Sequence, residues 1–324
     1  MPSDQISFTD VEYGNRRRVS RREQFLDTMD ATIPWSRWVG LIEPFYYSGR
    51  RGRKPKALET MLRMYLLQAW FSLSDEGVED AICDSYAMRR FLGLDFTVEQ
   101  VPDATTLLHF RHLLEKHELG RKLLESQAEM FEEQGWIMHG GSIVDATIIA
   151  APSSTKNAAG ARDPEMRQTK KGNQWYFGMK VHLGVDKDSG LIHSVVTTSA
   201  NVHDLTPAAE LLHGDEEVVY ADAGYQGIDK RSDMTGKTTT FRVAMRPGKR
   251  RVLPDTPEGK LLDLIEMAKA HVRAKGEHPF RVIKQQFGFQ KTRLRGMAKN
   301  RCKVNVLAAL TNLFLARRQL LVVL

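Results

Sequence analysis

A chain of 324 residues with 42% apolar content is long enough for one large core and a smaller domain, which excludes a disordered or fibrous chain. Its formal net charge of +7 points to a polyanionic partner, because net charge governs association and not fold. Two cysteines, Cys83 and Cys302, stand outside any ligand spacing, and no apolar run reaches bilayer length, so neither a disulfide scaffold nor a membrane span is expected and a cytoplasmic protein is.

In chain order, residues 1–56 carry two basic clusters. Arg16, Arg17, Arg18, Arg21 and Arg22 form the first; Arg50, Arg51, Arg53, Lys54 and Lys56 form the second, around Gly52 and Pro55. They predict a basic arm or linker, extended enough at the second cluster to suit a minor groove. Residues 57–134 turn helical: Leu58, Met61, Leu62, Tyr65, Leu66 and Ala69 recur at three-to-four spacing. Ser74 with Asp75 caps a second helix. Pro102 and Asp103 open a third, whose exposed side would offer Thr105, Thr106, His109, Arg111 and His112. Short helices and tight turns predict an all-α, helix-turn-helix-like DNA-binding domain, although a plain dimerisation bundle would show the same periodicity.

After Gly135 the texture changes to strands. Residues 142–150 are β-branched and apolar with one Asp inside; 175–185 and 191–198 flank a turn made by Asp186, Lys187, Asp188, Ser189 and Gly190. Asp204 is expected to cap a helix through Leu212. Strands follow at 217–221 and 241–245 and a helix from Glu258, while 151–172 reads as a mobile loop. That order predicts an α/β (α+β) ribonuclease-H-like core over 135–300 with a mixed five-stranded sheet, and 301–324 as a C-terminal helix packing on it. From His278 onward there is no Asp or Glu, whereas Arg281, Lys284, Lys291 and Arg293 open a long basic series, as a phosphate-binding surface requires.

Three carboxylates stand out. Asp145, inside an apolar strand, is costly to desolvate without a partner. Asp222 ends the strand Val218, Val219, Tyr220, Ala221 and precedes Ala223 and Gly224, which puts it at the carboxyl edge of the sheet, where ligands bind. Glu277 shares a helix face with Arg273 and Lys284, although Pro279 predicts a kink or restart; Glu266 is the reserve. Three hard carboxylates suit two Mg²⁺ or Mn²⁺ ions and phosphodiester chemistry. Lys180, His203 and Trp175, with Lys170 and Lys171, are weaker candidates for DNA contact.

Several strings occur in order: Val144-Asp145-Ala146-Thr147-Ile148, Asp163-Pro164-Glu165-Met166, His203-Asp204-Leu205, Ala221-Asp222-Ala223-Gly224-Tyr225-Gln226-Gly227 and Glu277-His278-Pro279-Phe280-Arg281. Together they closely resemble the InsH-like transposases of the bacterial IS-five insertion-sequence family. That resemblance implies that Asp145, Asp222 and Glu277 are the catalytic and metal-holding Asp, Asp and Glu, with Arg273 and Lys284 the signature cations. Ala270 stands where related groups carry a Tyr, so no role passes to it. The family implies binding of double-stranded DNA at terminal inverted repeats, cleavage and strand transfer, and by analogy a nucleoid-associated homodimer. A catalytically silent DNA-binding regulator, or a nuclease without strand transfer, would carry the same carboxylates.

Overall fold

The computed structural model describes residues 13–47, 55–137, 139–158, 160–234 and 238–323. Two compact units divide the chain, Met1–His117 with Ala316–Leu324, and Glu118–Leu315.

In the first unit, helices α1 (Arg21–Thr32) and α2 (Trp35–Ile42) occupy part of the expected basic arm. The Ser20 hydroxyl accepts from the Glu23 N–H and caps α1, while Leu26, Met29, Ile33, Trp38 and Ile42 are buried. Residues 21–42 are therefore core and not linker, a correction to the expected boundary at 56. Arg16 bonds Glu23 through Nη2, and Arg17 and Arg18 are exposed; Arg51, Arg53 and Lys54 lie outside the described residues.

Four further helices follow: α3 (Leu58–Phe71), α4 (Asp75–Asp84), α5 (Tyr86–Leu92) and α6 (Ala104–Lys116). The caps sit where Ser74 and Asp103 predict them, accepting from the N–H groups of Gly77 and Thr106. Beyond the expected stripe, α3 also buries Met64, Leu67 and Trp70, so it is enclosed on more than one side. Thr105, His109 and His112 are exposed on α6. Arg111 is not: it is buried, donating from Nη1 and Nη2 to the two carboxylate oxygens of Asp75 and from Nη1 to Gln68 Oε1. A planar guanidinium matched to a carboxylate tolerates such burial, and here it ties α6 to α4.

The second unit begins with α7 (Leu119–Glu133) and builds a mixed sheet of six strands: β1 (Gly141–Ala150), β2 (Arg167–Lys171), β3 (Gln174–Asp186), β4 (Ile192–Ser199), β5 (Val218–Ala221) and β6 (Thr240–Val243). The order is β2-β3-β1-β5-β6, with β4 pairing β3; β1, β5 and β6 run parallel, and the remaining pairs are antiparallel. Six strands replace the expected five because Arg167–Lys171, read as loop, pairs with Gln174–Gly178. The turn after β3 forms as predicted, Asp186 Oδ1 accepting from the N–H groups of Asp188 and Ser189.

The expected helix at 204–212 is instead a short 3-10 turn, Ala208–Leu211, and Asp204 pairs with Lys180 and does not cap it. At the start of β5, Glu216 accepts from the His213 and Gly214 N–H groups and from the Ser142 hydroxyl, which anchors β5 beside β1. After β6 come α8 (Pro247–Arg251), α9 (Pro257–Arg281), five residues of π-helix (Val282–Gln286) and α10 (Met297–Val323). Pro279 lies inside α9, so the helix does not end there.

Strand alternation gives β1 two different faces. Val144 joins Ala208, Leu211, Val219, Ala221 and Tyr225 in one apolar cluster. Ile143, Asp145 and Thr147 point the other way, toward α9 and the π-helical segment after it: Gly276 approaches Ile143, and Lys284 bonds Thr147.

Candidate active site

Parallel pairing of Val144 with Ala221 brings the next residue of each strand, Asp145 and Asp222, out side by side. Asp222 leaves β5 to cap a 3-10 turn, Ala223–Tyr225, with Oδ1 accepting from the Gly224 N–H at 2.8 Å. Asp145 stays within β1, its Oδ1 accepting from the Ala146 N–H at 2.8 Å.

Burial pushes the Asp145 carboxyl up to about 6, and the charge of Asp222 adds to the rise; the Ala146 N–H, Arg273 and Lys171 oppose it. A carboxylate disfavoured in its charged form by burial and a neighbouring acid is in the electrostatic condition that a cation relieves. Cations are placed around them. Arg273 of α9 and Lys171 of β2 act on Asp145, and Lys284 donates to Thr147 Oγ1 at 2.7 Å, its own ammonium destabilised by burial and by Lys171.

The structure therefore brings together Asp145, Asp222 and Arg273, with Lys284 on the same face of β1. Glu277 is exposed one helical turn beyond Arg273, next to Gly276. Among the described residues no three His, Cys, Asp or Glu side chains are gathered as a metal-ligand set. Glu266, the reserve, is engaged elsewhere: it accepts from the Met245 N–H and from Lys269, and so ties α9 to the end of β6. Arg281 and His203 are exposed, and Trp175 is 64% exposed on β3.

Lys180 takes a different position from the expected DNA contact, donating to Asp204 Oδ1 at 2.8 Å and to the Val202 carbonyl at 2.7 Å. The sequence reading overlooked Tyr225. It is fully buried, and the charges of Asp204, Asp145 and Asp222 all act on its phenol, which burial keeps protonated. The signal was its place three residues past Asp222.

The family model described as Transposase DDE domain matches residues 136–313, which spans every strand and α9. The chain belongs to the transposase DDE domain family. A second model, Transposase domain (DUF772), matches residues 15–113 and so covers the helical unit from before α1 to within α6. Among solved structures, the chain is similar to a piggyBac transposase in a cryo-EM synaptic complex with hairpin DNA, with a TM-score of 0.48 and 9% identity over 95% of this chain and 77% of that one. Membership of the family makes the chain a transposase by class, a DNA-processing enzyme whose relatives typically use divalent metal ions.

Proposed function

We propose that this transposase, of the IS-five kind, binds the terminal inverted repeats of an insertion sequence and catalyses cleavage and strand transfer of DNA on a ribonuclease-H-like core. The carrying observation is the pairing of Asp145, within β1, with Asp222, just past the end of the neighbouring parallel strand β5, with Asp145 pushed up to about 6 and cations ranged beside it.

The donor set fits hard divalent cations. A buried carboxylate whose charge is disfavoured by burial and by the neighbouring Asp222 gains from a Mg²⁺ or Mn²⁺ ion, and oxygen ligands suit both ions. Asp145, Asp222 and Glu277 would hold them, Glu277 following Arg273 by one turn of α9. When bound, such ions supply polarisation of the phosphodiester, activation of the attacking water or 3′ hydroxyl, and stabilisation of the leaving oxygen. The chain's own part is placement. Arg273 and Lys171 neutralise the phosphate beside Asp145, and Lys284, fixed by Thr147, offers a cation on the same face of the strand. Thr105, Thr106 and His109 on the helical unit, with Arg16, Arg17 and Arg18, would engage the DNA duplex, the arginines through its phosphates. A homodimer pairing two ends completes the reaction.

The test is strand cleavage and joining on inverted-repeat DNA, in Mg²⁺ and in EDTA. Wild type is expected to nick and join in Mg²⁺ alone. Asp145→Asn and Glu277→Gln are expected to bind ends and leave them uncut. Cleavage retained by Asp145→Asn would overturn the reading; cleavage without a joined product would favour a nuclease.

A further inference from the structure

In the apolar cluster on the Val144 face of the sheet, three residues after Asp222, lies a polar group with no role so far. The Tyr225 side chain is fully buried, yet its hydroxyl has no hydrogen-bond partner among the described residues. A buried hydroxyl left unpaired is costly and uncommon in a folded protein. The carboxylates whose charge reaches it are Asp204, Asp145 and Asp222.

Asp204 is itself fixed. Lys180 clamps its Oδ1 at 2.8 Å while also holding the Val202 carbonyl. Gly224 lies between the two acids: a Cβ there would stand 3.0 Å from Asp222 Oδ1 and 3.7 Å from Asp204 Oδ2. Glycine at this position lets both carboxylates approach one stretch of backbone, directly before Tyr225 in the chain.

We propose that Tyr225 is a positioning residue for the cation-holding carboxylates, its buried hydroxyl donating to an aspartate of the site when divalent cations are bound, with the Lys180–Asp204 pair bracing the same turn. The inference rests on the function proposed above, since it presumes cations at Asp145 and Asp222. Tyr225 touches neither substrate nor cation; it acts through the aspartate that it orients. Groups that orient metal-binding side chains typically change affinity about tenfold to a hundredfold when removed.

The experiment measures Mn²⁺ binding to the full chain by electron paramagnetic resonance, with a thermal melt of each metal-free protein. Tyr225→Phe removes one oxygen and keeps the ring. Its metal-free melting temperature is expected to stay level or rise, because an unpartnered hydroxyl is lost, while Mn²⁺ affinity falls about tenfold or more. Asp204→Asn, which loosens the brace without touching the phenol, is expected to weaken Mn²⁺ binding in the same direction. A merely structural tyrosine would lower the melting temperature and leave affinity alone. Mn²⁺ binding by Tyr225→Phe equal to that of wild type overturns the inference. If wild-type binding of Mn²⁺ is insensitive to Asp145→Asn, the function beneath it fails instead.

Discussion

Gly276 of α9 lies so close to Ile143 of β1 that a Cβ on the glycine would stand 2.8 Å from Ile143 Cγ2. Ile143 is two residues before Asp145 on the same face of the strand, and Gly276 lies between Arg273 and Glu277 in sequence. At this contact the helix approaches the sheet too closely for any larger side chain.

Gly276→Ala is therefore expected to push α9 outward. Overpacking of this kind costs about 1–3 kcal/mol, and a displacement approaching 1 Å at a catalytic group can cost on the order of a hundredfold in rate. Single-turnover cleavage measured alongside the melting temperature checks this. Adding Ile143→Ala, which removes the obstructing methyl, should recover part of the rate, and strictly additive losses would refute the steric account.

Asp145→Asn should stabilise the metal-free protein in a pH-dependent manner. Its carboxyl sits at about 6 against an ordinary 3.8, so between those values the folded chain holds a proton that the unfolded chain has released. Stability drops as pH rises through that window, and above it the buried charge costs on the order of 2–3 kcal/mol. The asparagine variant avoids that cost. Denaturant melts at pH 7.5 and pH 4 should show a clear gain at the first and little at the second; an equal gain at both would contradict the assignment.

Arg111→Met is expected to damage the helical unit and not DNA recognition. It leaves Asp75 without the guanidinium that fits it, and breaking a buried pair in this way costs on the order of 3 kcal/mol. Below the melting temperature, the salt dependence of end binding should match wild type. Replacing Arg17 and Arg18 by Ala should flatten that dependence with little change in melting. A shallower salt slope for Arg111→Met would return the residue to the DNA interface.

Acid should destabilise the sheet unit through two imidazoles, one buried and one half-buried. Burial holds His182 and His193 at about 4, against an ordinary 6.5. Between those values the unfolded chain takes up protons that the folded chain refuses, so stability falls with pH, by up to about 1.4 kcal/mol per pH unit for each imidazole. Asp145 acts in the opposite sense over part of the range, from 3.8 to about 6. The His182→Gln, His193→Gln double variant should flatten the slope between pH 6.5 and 4, as followed by denaturant midpoints.

The aspartate pair of the candidate site stood out in the sequence because each aspartate ends or interrupts an apolar β-branched run, a local pattern that needs no knowledge of the fold. β2 was not, since Arg167, Gln168, Lys170 and Lys171 are exposed and show no apolar alternation; only pairing with β3 makes them a strand. Helical periodicity located α6 and its cap but could not say which way Arg111 points, because its partner Asp75 lies 36 residues away. Asp204 misled for the same reason: a local capping role looked sufficient, while its partner Lys180 belongs to another element. Among charges, Arg16 to Arg22 hid the buried stripe of Leu26, Met29 and Ile33 that makes α1 part of a core.

At the start of β4, the buried amide of Asn312 from α10 accepts from the Ile192 N–H at 2.8 Å and donates to the Ile192 carbonyl at 2.7 Å, with Gln127 of α7 holding its other proton at 2.9 Å. A side-chain amide offers one donor and one acceptor in the spacing of a peptide group, so it takes the place that a neighbouring strand would fill. Stray polypeptide is thereby denied the Ile192 backbone groups as a template at this end of the sheet.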